Sequence, residues 1–253
     1  MDSNRIKGVA LGARDALTKE VSTSLDRVLS PDSPERVANS AGVSTIEHAI
    51  DAHGRDEVVE RVAYTWFNRL CALRYMDVRG YTPVGLVSPR EGETLPAVLA
   101  DARRGIYSVA LGMSARDKES VAAVLGGRVA SRDPLGRAYV MLLLAACKTY
   151  ERSMGYLFGF ERDLGPAIEL LAPTDLLGEG SILRRICDGL DEDTCAEGVE
   201  VMGWLYQFYV SERKDAFFAS KKKATAADIA PATQLFTPNW IVRYLVENSL
   251  GRL

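Results

Sequence analysis

Thr237 and Pro238 open an apolar-periodic run near the end of this 253-residue chain. A threonine hydroxyl in that position can accept a hydrogen bond from a free backbone N–H two or three residues on. A proline in the next position sacrifices nothing, because the first helical N–H has no partner anyway. Ile241, Val242, Leu245 and Val246 then form an apolar stripe, and Gly251 is a natural stop. The spacing predicts a compact amphipathic helix. The N-terminus of such a helix attracts anions, carboxylates included. From these residues alone, a ligand-binding edge and a well-capped structural helix are both open, and the second is the commoner case.

Lys221, Lys222 and Lys223, with Arg213 and Lys214 one helix earlier, could neutralise DNA phosphates. A charge run followed by Ala-Thr-Ala-Ala-Asp is also ordinary linker composition, and a solvated linker is the simpler reading. Trp204, Tyr206, Phe208 and Tyr209 lie close by but cover more than one helix face, which favours core over base stacking.

Metal and nucleophile chemistry finds little support. The four cysteines, Cys71, Cys147, Cys187 and Cys195, make no Cys-x-x-Cys pair, and His48 and His53 are the only histidines. No zinc site is expected. Buried free thiols in a reducing, cytoplasmic setting are. His48 and His53 flank Asp51, but nothing supplies a nucleophile or third partner, so they read as exposed helix-end residues. Asp191-Glu192-Asp193 reads as a capped turn before a helix, without the further ligands that would specify a cation. Gly178-Glu179-Gly180 could imitate a cofactor-binding glycine loop, but the Leu176-Leu177 before it is too short a strand. A turn ahead of a helix capped by Ser181 is expected there. No catalytic residue is assigned.

The elements around these residues read as helices. Ile6, Ala10, Ala13, Leu17, Val21, Leu25 and Val28 recur at steps of three and four over 4–29. Ser33 with Pro34 starts the next helix as N-cap and first residue. Val58, Val62, Trp66, Leu70 and Leu73 form one face of 54–79, closed by Gly80. Residues 81–93 read as a long connection, and shorter helices follow at 94–103 and 114–129. Asp133-Pro134 opens an apolar helix over 134–152, and Gly and Pro punctuate 153–180. A helix runs from Ser181 to about 190. The last long one covers 197–219, with Val199, Met202, Tyr206, Tyr209, Arg213 and Phe217 along one side. Period-two alternation and hairpin signals are missing, so the chain is predominantly α.

The string Thr233-Gln234-Leu235-Phe236-Thr237-Pro238-x-x-Ile241-Val242-x-x-Leu245-Val246 resembles the Phe-Thr-Pro element of adenine-N6 DNA methyltransferases. The continuation Val246-Glu247-Asn248-Ser249-Leu250-Gly251-Arg252-Leu253 narrows the likeness. So do Arg213-Lys214-Asp215 and Ala63-Tyr64-Thr65-Trp66-Phe67-Asn68-Arg69-Leu70-Cys71-Ala72-Leu73-Arg74-Tyr75-Met76. Together they resemble the PglX family, the methyltransferases of BREX phage-defence systems, most strongly at 63–81 and 207–253.

The resemblance implies a multi-helical N-terminal domain over 1–220, a linker over 221–236, and over 237–253 the first helix of a Rossmann-like methyltransferase domain. It implies S-adenosylmethionine as cofactor, with Phe236, Thr237 and Pro238 lining its pocket. Double-stranded DNA, other BREX proteins and candidate phage-encoded inhibitors follow as partners, with N6-methyladenine as product. Two family motifs do not occur in residues 1–253: the Gly-rich cofactor loop, and the Asn/Asp-Pro-Pro-Tyr/Phe that holds a flipped adenine. The chain is therefore expected to be a piece of a larger enzyme, inactive by itself. A stand-alone helical adaptor that binds protein partners is the competing class.

Composition bounds both readings. The chain is 47% hydrophobic and 26% charged with a net charge of −3, so no global basic excess announces a nucleic-acid binder. The N-terminus lacks a signal-peptide core. The longest apolar run, 138–147, falls well short of the ~20 residues a bilayer span needs.

Overall fold

A computed structural model describes residues 3–159, 163–220, 229, 233 and 236–252. The described chain is helical, and among its residues a lone bridge between Pro89 and Pro96 is the whole of the β-structure. It divides into two compact units, Gly12–Asp191 and the combination of Met1–Leu11 with Glu192–Leu253.

Helix α1 (Ser3–Leu29) buries every position of its predicted stripe, from Ile6 to Val28. Ser33 accepts from the Glu35 N–H to cap the short α2 (Pro34–Ala38), and Asn39 caps α3 (Ser40–His53) through the Gly42 N–H. Helix α4 (Arg55–Val78) buries Val58, Val62, Trp66, Leu70 and Leu73 as its spacing requires. Gly80 then takes φ 68°, and the Tyr81 N–H returns to the Met76 carbonyl at 2.8 Å, a left-handed helix stop that favours glycine.

Asp77, near the end of α4, organises the connection that follows. Its carboxylate accepts the N–H groups of Leu86, Val87 and Ser88 at 2.8–3.0 Å and the Thr82 hydroxyl at 2.7 Å. Backbone groups that would otherwise be stranded in a loop are thereby satisfied. Helix α5 (Ala97–Arg103) follows, then α6 (Ala115–Leu125), capped by a reciprocal Ser114–Asp117 box. The sequence predicts α6 to run to 129. It stops four residues earlier because Gly127 turns to φ 71° and the Arg128 N–H folds back to the Ala123 carbonyl.

Helix α7 (Pro134–Glu151) is the apolar one. Asp133 caps it by accepting the Gly136 N–H at 2.9 Å, and the buried Tyr139 hydroxyl donates to the Leu86 carbonyl at 3.0 Å. It packs against α5, α6 and the single-turn α8 (Gly155–Phe158), while α4 packs against α3, α8 and α9 (Ile182–Gly189). A 3-10 segment, Gly165–Leu171, lies against α3. The core of this unit is centred on Trp66, Phe67, Tyr139 and Phe158.

The second unit includes α10 (Glu192–Ala196), α11 (Glu200–Ser220) and α12 (Asn239–Ser249). Helix α11 departs from the predicted face. Among its described side chains Val201, Leu205 and Tyr209 are buried, of which only Tyr209 lies on the predicted side, whereas Val199, just ahead of the helix, is exposed and Met202 and Tyr206 are half-buried. Aromatic residues surround this helix, so periodicity could not single out one face.

Helix α12 departs in two ways. Pro238 has φ −56° and ψ 144°, an extended conformation, so the helix begins at Asn239 and Pro238 occupies the cap position. Thr237 is displaced by one residue from where its hydroxyl could cap, and no side chain caps α12. At the other end Gly251 does not take a left-handed turn. The helix tightens instead into the 3-10 turn Leu250–Arg252.

Candidate functional site

The Phe-Thr-Pro turn rests on α11. The Phe236 N–H donates to the side-chain oxygen of Gln207 at 3.2 Å. Its ring lies 5.6 Å from that of Trp204, tilted by 58°, and Trp204 in turn stacks on Phe208 at 6.0 Å. Such tilted aromatic pairs contribute about 0.5–1.5 kcal/mol beyond the area they bury. Gly203 completes the seat: a Cβ at this position would overlap the Phe236 ring. Gly203 and Gln207 are one helical turn apart and share a face, with Trp204 beside them.

Beyond this anchor the turn opens. Phe236 and Pro238 are half-buried and Thr237 is exposed. Among the described residues no partner holds the Thr237 hydroxyl. The Pro238 carbonyl accepts the N–H groups of Ile241 at 3.0 Å and Val242 at 3.3 Å and so starts α12. The stripe that follows is uncovered, with Val242 46%, Leu245 59% and Val246 48% exposed. Lys221, Lys222 and Lys223 lie outside the described residues.

The other candidates take structural places. His48 and His53 are exposed, as expected, although only His53 ends its helix. His53 Nε2 lies 3.0 Å from the Asp163 carboxylate, which Arg61 also engages at 2.7 Å. The hydrogen bond from Arg61 is the main reason the Asp163 carboxyl is held below its usual range. All four cysteines are thiols outside any disulfide, and three are buried. Burial pushes the Cys147 and Cys187 thiols up to about 11, which disqualifies both as nucleophiles near neutral pH. No group of three His, Cys, Asp or Glu able to hold a metal occurs among the described residues. Gly178 belongs to a capping turn. Its N–H donates to Asp175 and its carbonyl accepts from Ser181, whose hydroxyl caps α9.

One feature of the unit Gly12–Asp191 had no signal in the sequence. A cavity of about 1010 Å³ lies beside α6 and α7. Leu111, Met113, Val121, Met141 and Leu144 contribute its apolar lining, with Lys148 and Glu169 among its polar groups. Burial raises the Glu169 carboxyl, against the pull of Arg69 and Lys148. Among the described residues no helix is long and apolar enough to cross a membrane.

Comparison with known proteins places the chain. No family model matches it. It is 43% identical over 201 residues to the adenine-specific methyltransferase BrxX of Escherichia coli O9:H4 (strain HS), an alignment covering 79% of this chain and 16% of that protein. It is 37% identical over 231 residues to the adenine-specific methyltransferase PglX of Lacticaseibacillus casei (strain Zhang), covering 86% of this chain and 18% of that protein. The chain is a PglX homologue. It spans less than a fifth of the length of these relatives.

Within this PglX-like chain, the segment 63–76 that carried much of the resemblance proves to be a fastening. Arg69 is buried. Its Nη2 donates to the Phe158 and Gly159 carbonyls, both at 3.1 Å, and its guanidinium lies 5.2 Å from the Trp66 ring. Arg74 bonds to Leu190 and Ser88. Sequence reasoning missed Gly203, Trp204 and Gln207 as the seat of the turn. The available signal was Gly203 itself, since a glycine inside a helix usually answers a packing need.

Proposed function

We propose that this chain is the portion of a DNA adenine-N6 methyltransferase that leads into the catalytic domain and supplies one edge of its S-adenosylmethionine pocket. The observation that carries the reading is the anchored Phe236-Thr237-Pro238 turn, in a PglX homologue, opening a helix whose apolar stripe is uncovered. A stripe of Val242, Leu245 and Val246 left to solvent asks for a covering surface. The remainder of a methyltransferase domain of Rossmann-like type is the cover we assign to it. A stand-alone adaptor would bury that stripe on its own core, and the exposures argue against that.

The residues present fit the cofactor. Thr237 offers an exposed hydroxyl able to donate and accept, and the start of α12 beside it favours negative charge such as a carboxylate. S-adenosylmethionine, when bound, supplies an electrophilic methyl group on sulfur. This chain's contribution is to bind and orient, because the motif that would hold the target adenine is not in residues 1–253. The full protein acts on double-stranded DNA within BREX phage defence in the cytoplasm, alongside other BREX proteins, where phage-encoded inhibitors would also engage it. Residues 1–253 alone transfer no methyl group.

The test is methyl transfer from tritiated S-adenosylmethionine to unmethylated DNA, by the product of the full reading frame and by residues 1–253. Incorporation at adenine N6 by the former only is expected. Transfer by residues 1–253 alone would refute the division of labour. No transfer by the full product would refute the methyltransferase reading.

A further inference from the structure

Helix α11 carries a glycine in its first turn and a half, where glycine is the least favourable residue short of proline. The reason lies 33 residues further on. A Cβ at 203 would overlap the Cε2 and Cδ2 atoms of Phe236, so only a bare backbone lets the ring approach. Four residues along the same face, Gln207 accepts the Phe236 N–H at 3.2 Å. The donor fixes the amide orientation, since only the oxygen of that side chain can accept. The Trp204 ring stands beside both at 5.6 Å. Three different devices thus converge on one residue, immediately before the exposed Thr237.

We propose that Gly203 and Gln207 are positioning residues for the Phe236-Thr237-Pro238 turn, through which α11 sets the affinity of the S-adenosylmethionine pocket. This rests on the cofactor reading of that turn given above. A turn held on a rigid helix spends most of its time in the binding arrangement. When the hold is loosened, apparent affinity falls by the fraction of time the arrangement is lost. The chemical step belongs to residues outside this chain and is untouched once cofactor is bound.

The experiment uses the full-length enzyme with Gly203→Ala, Gln207→Leu and Gln207→Glu. Leucine removes the acceptor at similar size, whereas glutamate keeps one. Gln207→Leu, which loses one well-placed hydrogen bond, is expected to raise KM for S-adenosylmethionine about tenfold, and Gly203→Ala, whose Cβ displaces the Phe236 ring, to raise it in the same direction, with kcat at saturating cofactor and KM for DNA unchanged. Gln207→Glu restores KM to near wild type. A general folding defect would instead lower kcat and the melting temperature without this selectivity. If Gly203→Ala does not fold, the Gln207 pair decides the matter. An unchanged KM for the cofactor in Gln207→Leu, in an enzyme that binds the cofactor by calorimetry, overturns this inference alone. A wild-type enzyme that binds no S-adenosylmethionine overturns the cofactor reading, and this inference with it.

Discussion

Arg74 donates from Nε to the Leu190 carbonyl at 2.9 Å, across 116 residues of sequence. The same guanidinium reaches the Ser88 hydroxyl at 2.6 Å and the Cys187 carbonyl at 3.4 Å. One planar fork therefore ties α4 to α9 and to the connection after α4. Lysine has a single head on a flexible stem and cannot meet these directions together. Arg74→Lys is expected to lose about 2 kcal/mol of stability, read as a lower urea midpoint. A change within about 0.5 kcal/mol would show that the fork is dispensable.

The Asp77 carboxylate gathers three N–H groups and a hydroxyl. An asparagine side chain there would present an NH2 group to donors that need an acceptor. Asp77→Asn should cost about 1–3 kcal/mol. Hydrogen exchange should accelerate at the amides of Val87 and Ser88, and unchanged exchange at both would count against the role.

With thiols near 11, Cys147 and Cys187 hold roughly a thousandth of their population as thiolate at pH 8. Iodoacetamide should leave both unmodified in the folded protein and alkylate both after denaturation, as mass spectrometry would report. Rapid alkylation of Cys147 in the folded state would contradict its burial.

Glu169 titrates above its ordinary 4.5 because burial disfavours its charge. The folded state then binds this proton more tightly than the unfolded chain. Its stabilising contribution is full below the unfolded value and is lost as pH rises through the folded one. Glu169→Gln removes the charged form. The variant should match wild type in urea near pH 4 and exceed it at pH 7. Equal differences at both pH values would place the effect in packing instead.

The α12 stripe gives a solution prediction. Val242→Ser with Leu245→Gln, both at exposed positions, should reduce self-association of residues 1–253 in sedimentation velocity. Self-association as strong as in the wild-type chain would put the sticky surface elsewhere.

Much of this architecture was legible in the sequence because local signals and long-range packing agreed. Every apolar position in the α1 stripe is buried, and the caps at Ser33, Asp133 and Ser181 form as their types require. The reading of α11 failed where they diverged. Tyr209 of the predicted stripe is buried, but Met202 and Tyr206 are only half-buried while Val201 and Leu205 take the core, and Phe236 packs on the helix at Gly203 and Trp204. A contact between residues 203 and 236 leaves no trace in a 3.6-residue period. Thr237 was misplaced by one residue because Pro238 suits both the cap and the first helical position, and its extended ψ decides between them. The cavity beside α6 and α7 is lined by residues as far apart in sequence as Leu111 and Glu169, a juxtaposition that composition does not encode.

Glu20 on α1 accepts the Thr174 N–H at 3.1 Å, and the Ser24 hydroxyl donates to the Ala172 carbonyl. These partners leave the ribosome long after α1 does. At about 5–20 residues per second, roughly 150 residues of synthesis separate the two by about 8–30 s. The contact from Arg55, on α4, to the Ser22 hydroxyl at 3.1 Å is made far sooner, so for that interval α1 has its α4 partners but lacks those at 172–174. The opening helix thus completes its polar contacts late, on a schedule set by chain order and elapsed time rather than by final stability.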